Sequence, residues 1–72
     1  MNSNNYKLNS AFCSVPADDA DKLLAASDGN AALLYLWLLR GRSFESFERS
    51  LNIPAADAAK AASKLVSIGL LN

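Results

Sequence analysis

The chain has 72 residues, 51% of them apolar, and its seven basic and seven acidic side chains cancel at neutral pH. Seventy-two residues make at most one small domain with one core. The balanced charge lacks the strongly basic character typical of many nucleic-acid-binding proteins, and it does not oppose self-association.

The N-terminal residues predict a polar start followed by a short strand. No hydrophobic segment of the kind found in signal peptides is visible there. Tyr6, Leu8 and Phe12 follow a period-two pattern, which indicates a strand over residues 6–12. Cys13 is the single cysteine, so no internal disulfide is expected and a reducing, cytoplasmic setting is favoured.

Four helices are predicted from apolar spacing and from residues that favour helix ends. They span residues 16–27, 30–40, 44–50 and 55–67. We expect Gly29 to end the first helix in a left-handed conformation, and Asn30 to cap the second. Gly41 should end the second helix, Ser43 should cap the third, and Gly69 should end the fourth.

The second helix contains the run Ala31–Leu39, nine consecutive apolar or aromatic residues. A bilayer-spanning helix needs about 20 such residues, so this run is too short to cross a membrane. It also has no polar face, which predicts a helix covered on most sides by the rest of the domain. Tyr35 and Trp37 are expected to form the aromatic centre of the core.

The other helices have distinguishable faces. The first should bury a stripe comprising Ala20, Leu23, Leu24 and Ser27, and the third a face comprising Phe44, Phe47 and Leu51. The fourth should bury Ala58, Ala61, Ala62, Leu65 and Ile68 and expose Lys60, Ser63, Lys64 and Ser67. Asp18, Asp19 and Asp21 are compatible with a metal site, but complementing the helix dipole is the favoured interpretation, and no metal is expected.

A short helix, a turn at residues 51–53 and a longer helix follow the helix-turn-helix plan, and residues 70–72 would begin the strand of a wing. The exposed side of the fourth helix would then face DNA, with Lys60, Ser63, Lys64 and Ser67 as nucleic-acid-binding candidates. Arg42 and Arg49 are candidates for phosphate contact. The alternative is that these side chains form an ordinary solvated surface, since helix-turn-helix units also occur in domains that never touch DNA.

Catalysis is not expected. The chain has no histidine to act as a general base and no glycine-rich phosphate loop. Cys13 has no basic neighbour in sequence that would lower its pKa, and no set of residues has metal-ligand spacing. No cofactor is therefore expected.

Several motifs resemble the N-terminal domain of DnaD-like replication proteins, over about residues 12–71. They are Val15-Pro16, Asp28-Gly29-Asn30, the core-helix motif Leu34-Tyr35-Leu36-Trp37-Leu38-Leu39-Arg40, Leu51-Asn52-Ile53-Pro54, Asp57-Ala58 and Gly69-Leu70-Leu71. The resemblance implies a mainly α, winged-helix-like domain of about four helices with one or two short strands. It also implies a bacterial or phage primosome component that acts in replication initiation or restart.

In that family the N-terminal domain is associated with oligomerisation, and a separate C-terminal domain with much of the DNA binding. The resemblance therefore implies that these 72 residues are the N-terminal domain of a longer protein. Its expected partners are further copies of itself and replication-complex proteins, with weak DNA binding and no membrane association.

Two classes of function follow from the residues and the resemblance. One is a protein–protein assembly module, whose interaction-surface candidates are Tyr6, Leu8, Phe12, Leu70 and Leu71. The other is a DNA-binding winged helix that uses the lysines of the fourth helix. A helix-turn-helix transcription regulator is a further alternative.

Overall fold

A computed structural model describes residues 14–72, and this part of the chain is mainly α-helical. The helices are α1 (Ala17–Ala26), α2 (Gly29–Leu39), α3 (Phe44–Leu51) and α4 (Ala55–Ser67). The prediction of four helices is confirmed, with boundaries that differ by at most one residue from those expected. The described residues contain no strand, so the strand predicted at 70–72 is not formed, and the strand predicted at 6–12 lies outside the described residues.

The core lies where α2, α3 and α4 meet, and α2 packs more extensively against α4 than against α3. Its fully buried residues are Ala31, Leu34, Phe47, Ala58, Ala61 and Leu65. Three of these six are alanines, one on α2 and two on α4. Because alanine has a small side chain, the two helix backbones can approach each other closely along this line of contact.

The aromatic centre of the core differs from the prediction. Among residues 14–72, Phe47 is the largest side chain that is completely buried, and Leu34 and Leu65 belong to the same cluster. Tyr35 and Trp37 are only partly buried and pack against this cluster. Both aromatic residues have a polar atom that needs a hydrogen-bond partner, and each finds one outside the core. Phe47 has no such requirement and occupies the centre.

Two glycines end helices as predicted. Gly41 has φ 79° and follows α2, where its N–H donates to the carbonyl of Leu38 while the N–H of Arg42 donates to that of Trp37. Gly69 has φ 82° and follows α4 in the same way: its N–H donates to the carbonyl of Val66, and the N–H of Leu70 donates to that of Leu65. This is the Schellman arrangement, which satisfies carbonyl groups that the helix itself leaves unpaired.

The turn between α1 and α2 differs from the prediction. The left-handed residue is Ser27, with φ 51°, and the N-cap of α2 is Asp28, whose carboxylate accepts a 3.1 Å bond from the N–H of Ala31. Gly29 and Asn30 are therefore already helical. Aspartate caps as well as asparagine and adds a charge that the helix dipole favours, which explains the earlier start.

Several apolar side chains that were expected to be buried are exposed. Leu24 of α1 is 77% exposed, and Phe44 and Leu51 of α3 are each more than one-third exposed. On α2, Leu33 and Leu36 are 46% and 47% exposed, so the expectation of cover on most sides is wrong for this outer face. At 100° per residue both lie far from the fully buried Leu34.

The first helix is held at the edge of the domain. It contains no fully buried residue, and Leu23 is its contribution to the shell around the core. The hydroxyl of Tyr35 on α2 donates a 2.8 Å hydrogen bond to the carboxylate of Asp19. The Nζ of Lys22 also lies 3.6 Å from the point that a Cβ on Gly69 would occupy, so α1 reaches the end of α4.

Candidate nucleic-acid and assembly surfaces

The segment α3–turn–α4 (residues 44–67) carries the nucleic-acid-binding candidates on its second helix. Ser43 caps α3 as predicted, since its hydroxyl oxygen accepts a bond from the N–H of Ser46. Asn52 ends α3 in the left-handed conformation, with φ 54°, and Pro54 is the N-cap residue directly before α4. Both positions suit these residue types, because asparagine tolerates positive φ and the φ of −57° at Pro54 is the value that the proline ring fixes.

The two sides of α4 separate as predicted. Ala58, Ala61 and Leu65 are buried, and Ala62 and Ile68 are partly buried against the same cluster. The opposite side of α4 is exposed and comprises Lys60, Ser63, Lys64 and Ser67. We call these four residues the lysine face of α4. The orientation of the lysine face is fixed because the buried residues on the other side of α4 pack into the core.

One member of the lysine face has a hydroxyl that is already engaged. The Oγ of Ser67 donates a 2.8 Å hydrogen bond to the carbonyl oxygen of Lys64, one turn earlier. Its proton is therefore directed at the backbone, and only its oxygen lone pairs remain for an external donor. Ser63 makes no comparable bond within the described residues, so Lys60, Ser63 and Lys64 are the stronger donors on this face.

The two arginine candidates have different surroundings. The guanidinium carbon of Arg42 lies 4.8 Å from the centre of the Trp37 ring, a cation–π contact that leaves the exposed residue its hydrogen-bonding capacity. Arg49 lines an open cleft together with Glu45 and Glu48. The two carboxylates reduce the positive potential near Arg49, so Arg42 is the better candidate for a phosphate contact.

Charge is unevenly distributed along the chain. The segment from Asp18 to Asp28 holds four of the seven acidic residues and only one basic residue, Lys22. Basic residues follow α2, at Arg40 and Arg42, and lie on α4, at Lys60 and Lys64, where Asp57 is the one acidic residue. The net charge of zero thus combines an acidic first helix with basic regions elsewhere. The net charge of the whole chain therefore underestimates the positive potential beside the lysines of α4.

The acidic first helix does not form a metal centre. Among residues 14–72, no group of three or more histidine, cysteine, aspartate or glutamate side chains is arranged to hold a metal ion. Asp18 and Asp19 lie in the first turn of α1, where the positive end of the helix dipole stabilises them. One of them, Asp19, accepts the hydrogen bond from Tyr35.

In the part of the chain that the structure describes, two apolar surfaces are open to a binding partner. The first is the outer face of α2, formed by Leu33 and Leu36. The second is a cleft of about 260 Å³ lined by leucines of α2, α4 and the C-terminal residues, which we call the leucine cleft. Its lining residues are Leu38, Leu39, Leu65, Leu70 and Leu71, together with Asp19 and Tyr35.

The interaction-surface candidates predicted from the sequence are divided by the structure. Leu70 and Leu71 are half-buried and pack against the core while lining the leucine cleft. Tyr6, Leu8 and Phe12 lie outside the described residues. Leu33 and Leu36 were not predicted, although the sequence contained a signal for them. A nine-residue apolar run in so short a chain has more surface than three neighbouring helices can cover.

The described residues contain no helix with the length and apolar character needed to span a bilayer. Comparison of the whole chain with protein-family models, with curated proteins and with solved structures finds no match.

Proposed function

We propose that this chain is an assembly module of a complex that initiates or restarts DNA replication, with a winged-helix-like fold and weak DNA binding. The role in replication comes from the resemblance of its motifs to the N-terminal domain of DnaD-like proteins. The observation that carries the assembly role is the exposure of Leu33 and Leu36 on the central helix of so small a domain.

A second copy of this chain is the partner that we propose for the outer face of α2. An isologous contact places the same patch of each copy against the other, so a single apolar face is sufficient for a dimer. The net charge of zero leaves no overall repulsion to oppose this association. Burial of two leucines per copy would supply the hydrophobic driving force.

The proposed assembly is tested by sedimentation velocity over a range of concentrations of the 72-residue chain. The double variant Leu33→Ser, Leu36→Ser should shift the concentration-dependent species to monomer, while its circular dichroism stays helical because both positions are exposed. The matched control is Leu24→Ser, an even more exposed leucine on α1. Equal weakening in the control, or an unchanged double variant, would contradict the α2 interface.

A second candidate function, direct DNA binding as in a helix-turn-helix transcription regulator, is favoured by the lysine face of α4. Two ammonium groups and a serine hydroxyl lie on one exposed side of a helix that follows a short turn. Lysine binds phosphate as a point charge, and serine hydrogen-bonds either phosphate or base edges. Arg42 would add a third cation from the connection between α2 and α3.

Fluorescence anisotropy of a labelled duplex at two salt concentrations tests this candidate. Two lysine–phosphate contacts predict a log–log salt slope of about −2, and a third contact a slope nearer −3. Lys60→Glu with Lys64→Glu should abolish binding and leave sedimentation unchanged. Lys22→Glu, an exposed lysine on α1, is the matched control for charge alone. If the unmodified chain does not bind at low salt, direct DNA binding by this domain is excluded.

A further inference from the structure

We propose that the leucine cleft binds the N-terminal segment of the same chain, residues 6–12, which lies outside the described residues. In this arrangement Leu8 and Phe12 place apolar side chains against Leu70 and Leu71. The segment would thereby complete the hydrophobic surface at the C-terminal end of the domain. This inference concerns a different surface from the outer face of α2 and does not depend on the proposed function.

The chemistry of the cleft selects an apolar occupant. Five of its lining residues are leucines, and Leu38, Leu65, Leu70 and Leu71 belong to the core or to the shell packed around it. The polar side chains that line it, Asp19 and Tyr35, are hydrogen-bonded to each other. A hydrophobic side chain would release water from the leucines, and the hydroxyl proton of Tyr35 would keep its partner on Asp19.

The start of α1 lies at this cleft, within reach of the N-terminal segment. Asp19, which lines the cleft, is only the third residue of α1. Val15, near the beginning of the described part, is half-buried. Phe12 is five residue-to-residue steps from Ala17, a reach of up to about 17 Å when extended. Phe12 and Leu8 can therefore reach the cleft directly.

The spacing of apolar residues in the segment also fits a one-sided contact. Tyr6, Leu8 and Phe12 are all even-numbered, so an extended chain directs them to the same side. The intervening Lys7 and Asn9 would then face solvent. Binding within one chain is also favoured over binding between chains, because a short tether gives an effective concentration on the order of millimolar.

The test is an NMR experiment on the intact 72-residue chain, uniformly labelled with ¹³C and ¹⁵N. We expect nuclear Overhauser effects between the ring protons of Phe12 and the methyl groups of Leu70 or Leu71. In a sample that mixes labelled and unlabelled chains, isotope filtering separates contacts within a chain from contacts between chains. Effects found only between chains, or none from residues 6–12 to the cleft, would overturn the proposal.

A variant pair provides a second readout. Phe12→Ser should remove these effects and shift the methyl resonances of Leu70 and Leu71, while those of Leu24 on α1 remain in place. Asn9→Ser, a polar change in the same segment, should leave all of these resonances unchanged. Circular dichroism of both variants establishes that the four helices are retained before the resonances are compared. Unshifted Leu70 and Leu71 methyls in Phe12→Ser would contradict the contact.

Discussion

The indole Nε1 of Trp37 donates a 2.8 Å hydrogen bond to the backbone carbonyl of Ser43, the residue that caps α3. The same N–H approaches the hydroxyl oxygen of Ser46 at 3.2 Å. The indole ring also packs against Phe47, with centroids 6.1 Å apart and planes tilted by 60°. Trp37 therefore connects the end of α2 to the start of α3, and the centre of the core is Phe47.

This division of roles predicts different costs for truncating the two aromatic residues. Phe47→Ala should lower the free energy of unfolding by about 3–5 kcal/mol, the usual cost of emptying a fully buried aromatic site. Trp37→Ala should cost less, because Trp37 is only partly buried and its hydrogen bonds lie near solvent. Urea denaturation followed by circular dichroism measures both. An equal or greater cost for Trp37→Ala would show that Phe47 is not the centre of the core.

The alanines between α2 and α4 predict an intolerance of larger side chains. Ala61 is 1% exposed and faces the buried part of α2, so Ala61→Leu would have to push the helices apart. Overpacking of this kind costs about 1–3 kcal/mol. Ala59→Leu is the matched control, since Ala59 is on the exposed side of the same helix and both residues favour helix. Thermal unfolding should show a lower Tm for Ala61→Leu than for the unmodified chain, and an unchanged Tm for Ala59→Leu.

The hydrogen bond between Tyr35 and Asp19 predicts a local effect on the first helix. Tyr35→Phe keeps the ring and removes the hydroxyl donor, which should cost about 0.5–1.5 kcal/mol. Because α1 has no fully buried residue, the loss should appear first as faster amide exchange in α1. Amides of α4 near Ala61 should keep their protection. Uniform acceleration in both helices would show that α1 opens only with the whole domain.

The helix boundaries were predictable because they depend on residues close in sequence. Gly41, Ser43 and Gly69 act through their own backbone geometry or through a hydrogen bond to the next turn. The α1–α2 turn was less predictable, since Asp28 and Asn30 are both good caps and only one can be used. The structure uses Asp28, and the positive φ consequently falls on Ser27.

Burial was less predictable than helix position, because it depends on how much of a neighbouring helix lies over each face. Periodicity correctly places Phe44, Phe47 and Leu51 on one side of α3, but this helix has only eight residues. Its neighbours cover the middle of that side and leave both ends open, so only Phe47 is fully buried. The same reasoning applies to Leu33 and Leu36, whose exposure depends on the absence of a fourth neighbour for α2 among the described helices.

The exposed position of the lysine face was predictable, because it depends on the geometry of α4 itself and not on how far a neighbouring helix extends. Once Ala58, Ala61 and Leu65 define the inner side of α4, helical geometry directs Lys60 and Lys64 outward. Sequence did not reveal that the hydroxyl of Ser67 bonds to the backbone, because serine on a helix also points freely to solvent. Sequence periodicity thus predicts on which face a residue lies. Whether its side chain is free to donate a hydrogen bond depends on local geometry, which the periodicity does not contain.

The left-handed conformation of Ser27 predicts a stabilising substitution. A non-glycine residue at φ 51° carries a cost of roughly 1–2 kcal/mol, which Ser27→Gly should relieve. The greater freedom of glycine in the unfolded chain offsets about 0.5–1 kcal/mol of this gain. The net expectation is a stabilisation of about 0.5–1 kcal/mol, measurable by thermal and urea unfolding.

Asn52→Gly is the control for this substitution, because Asn52 has nearly the same backbone conformation, with φ 54°. Asparagine is among the residues that tolerate left-handed geometry, so the relief of strain should be smaller and the entropic cost the same. Asn52→Gly should therefore be neutral or slightly destabilising. If Ser27→Gly were no more stable than Asn52→Gly, the α1–α2 turn would not contain the backbone strain that its dihedral angle indicates.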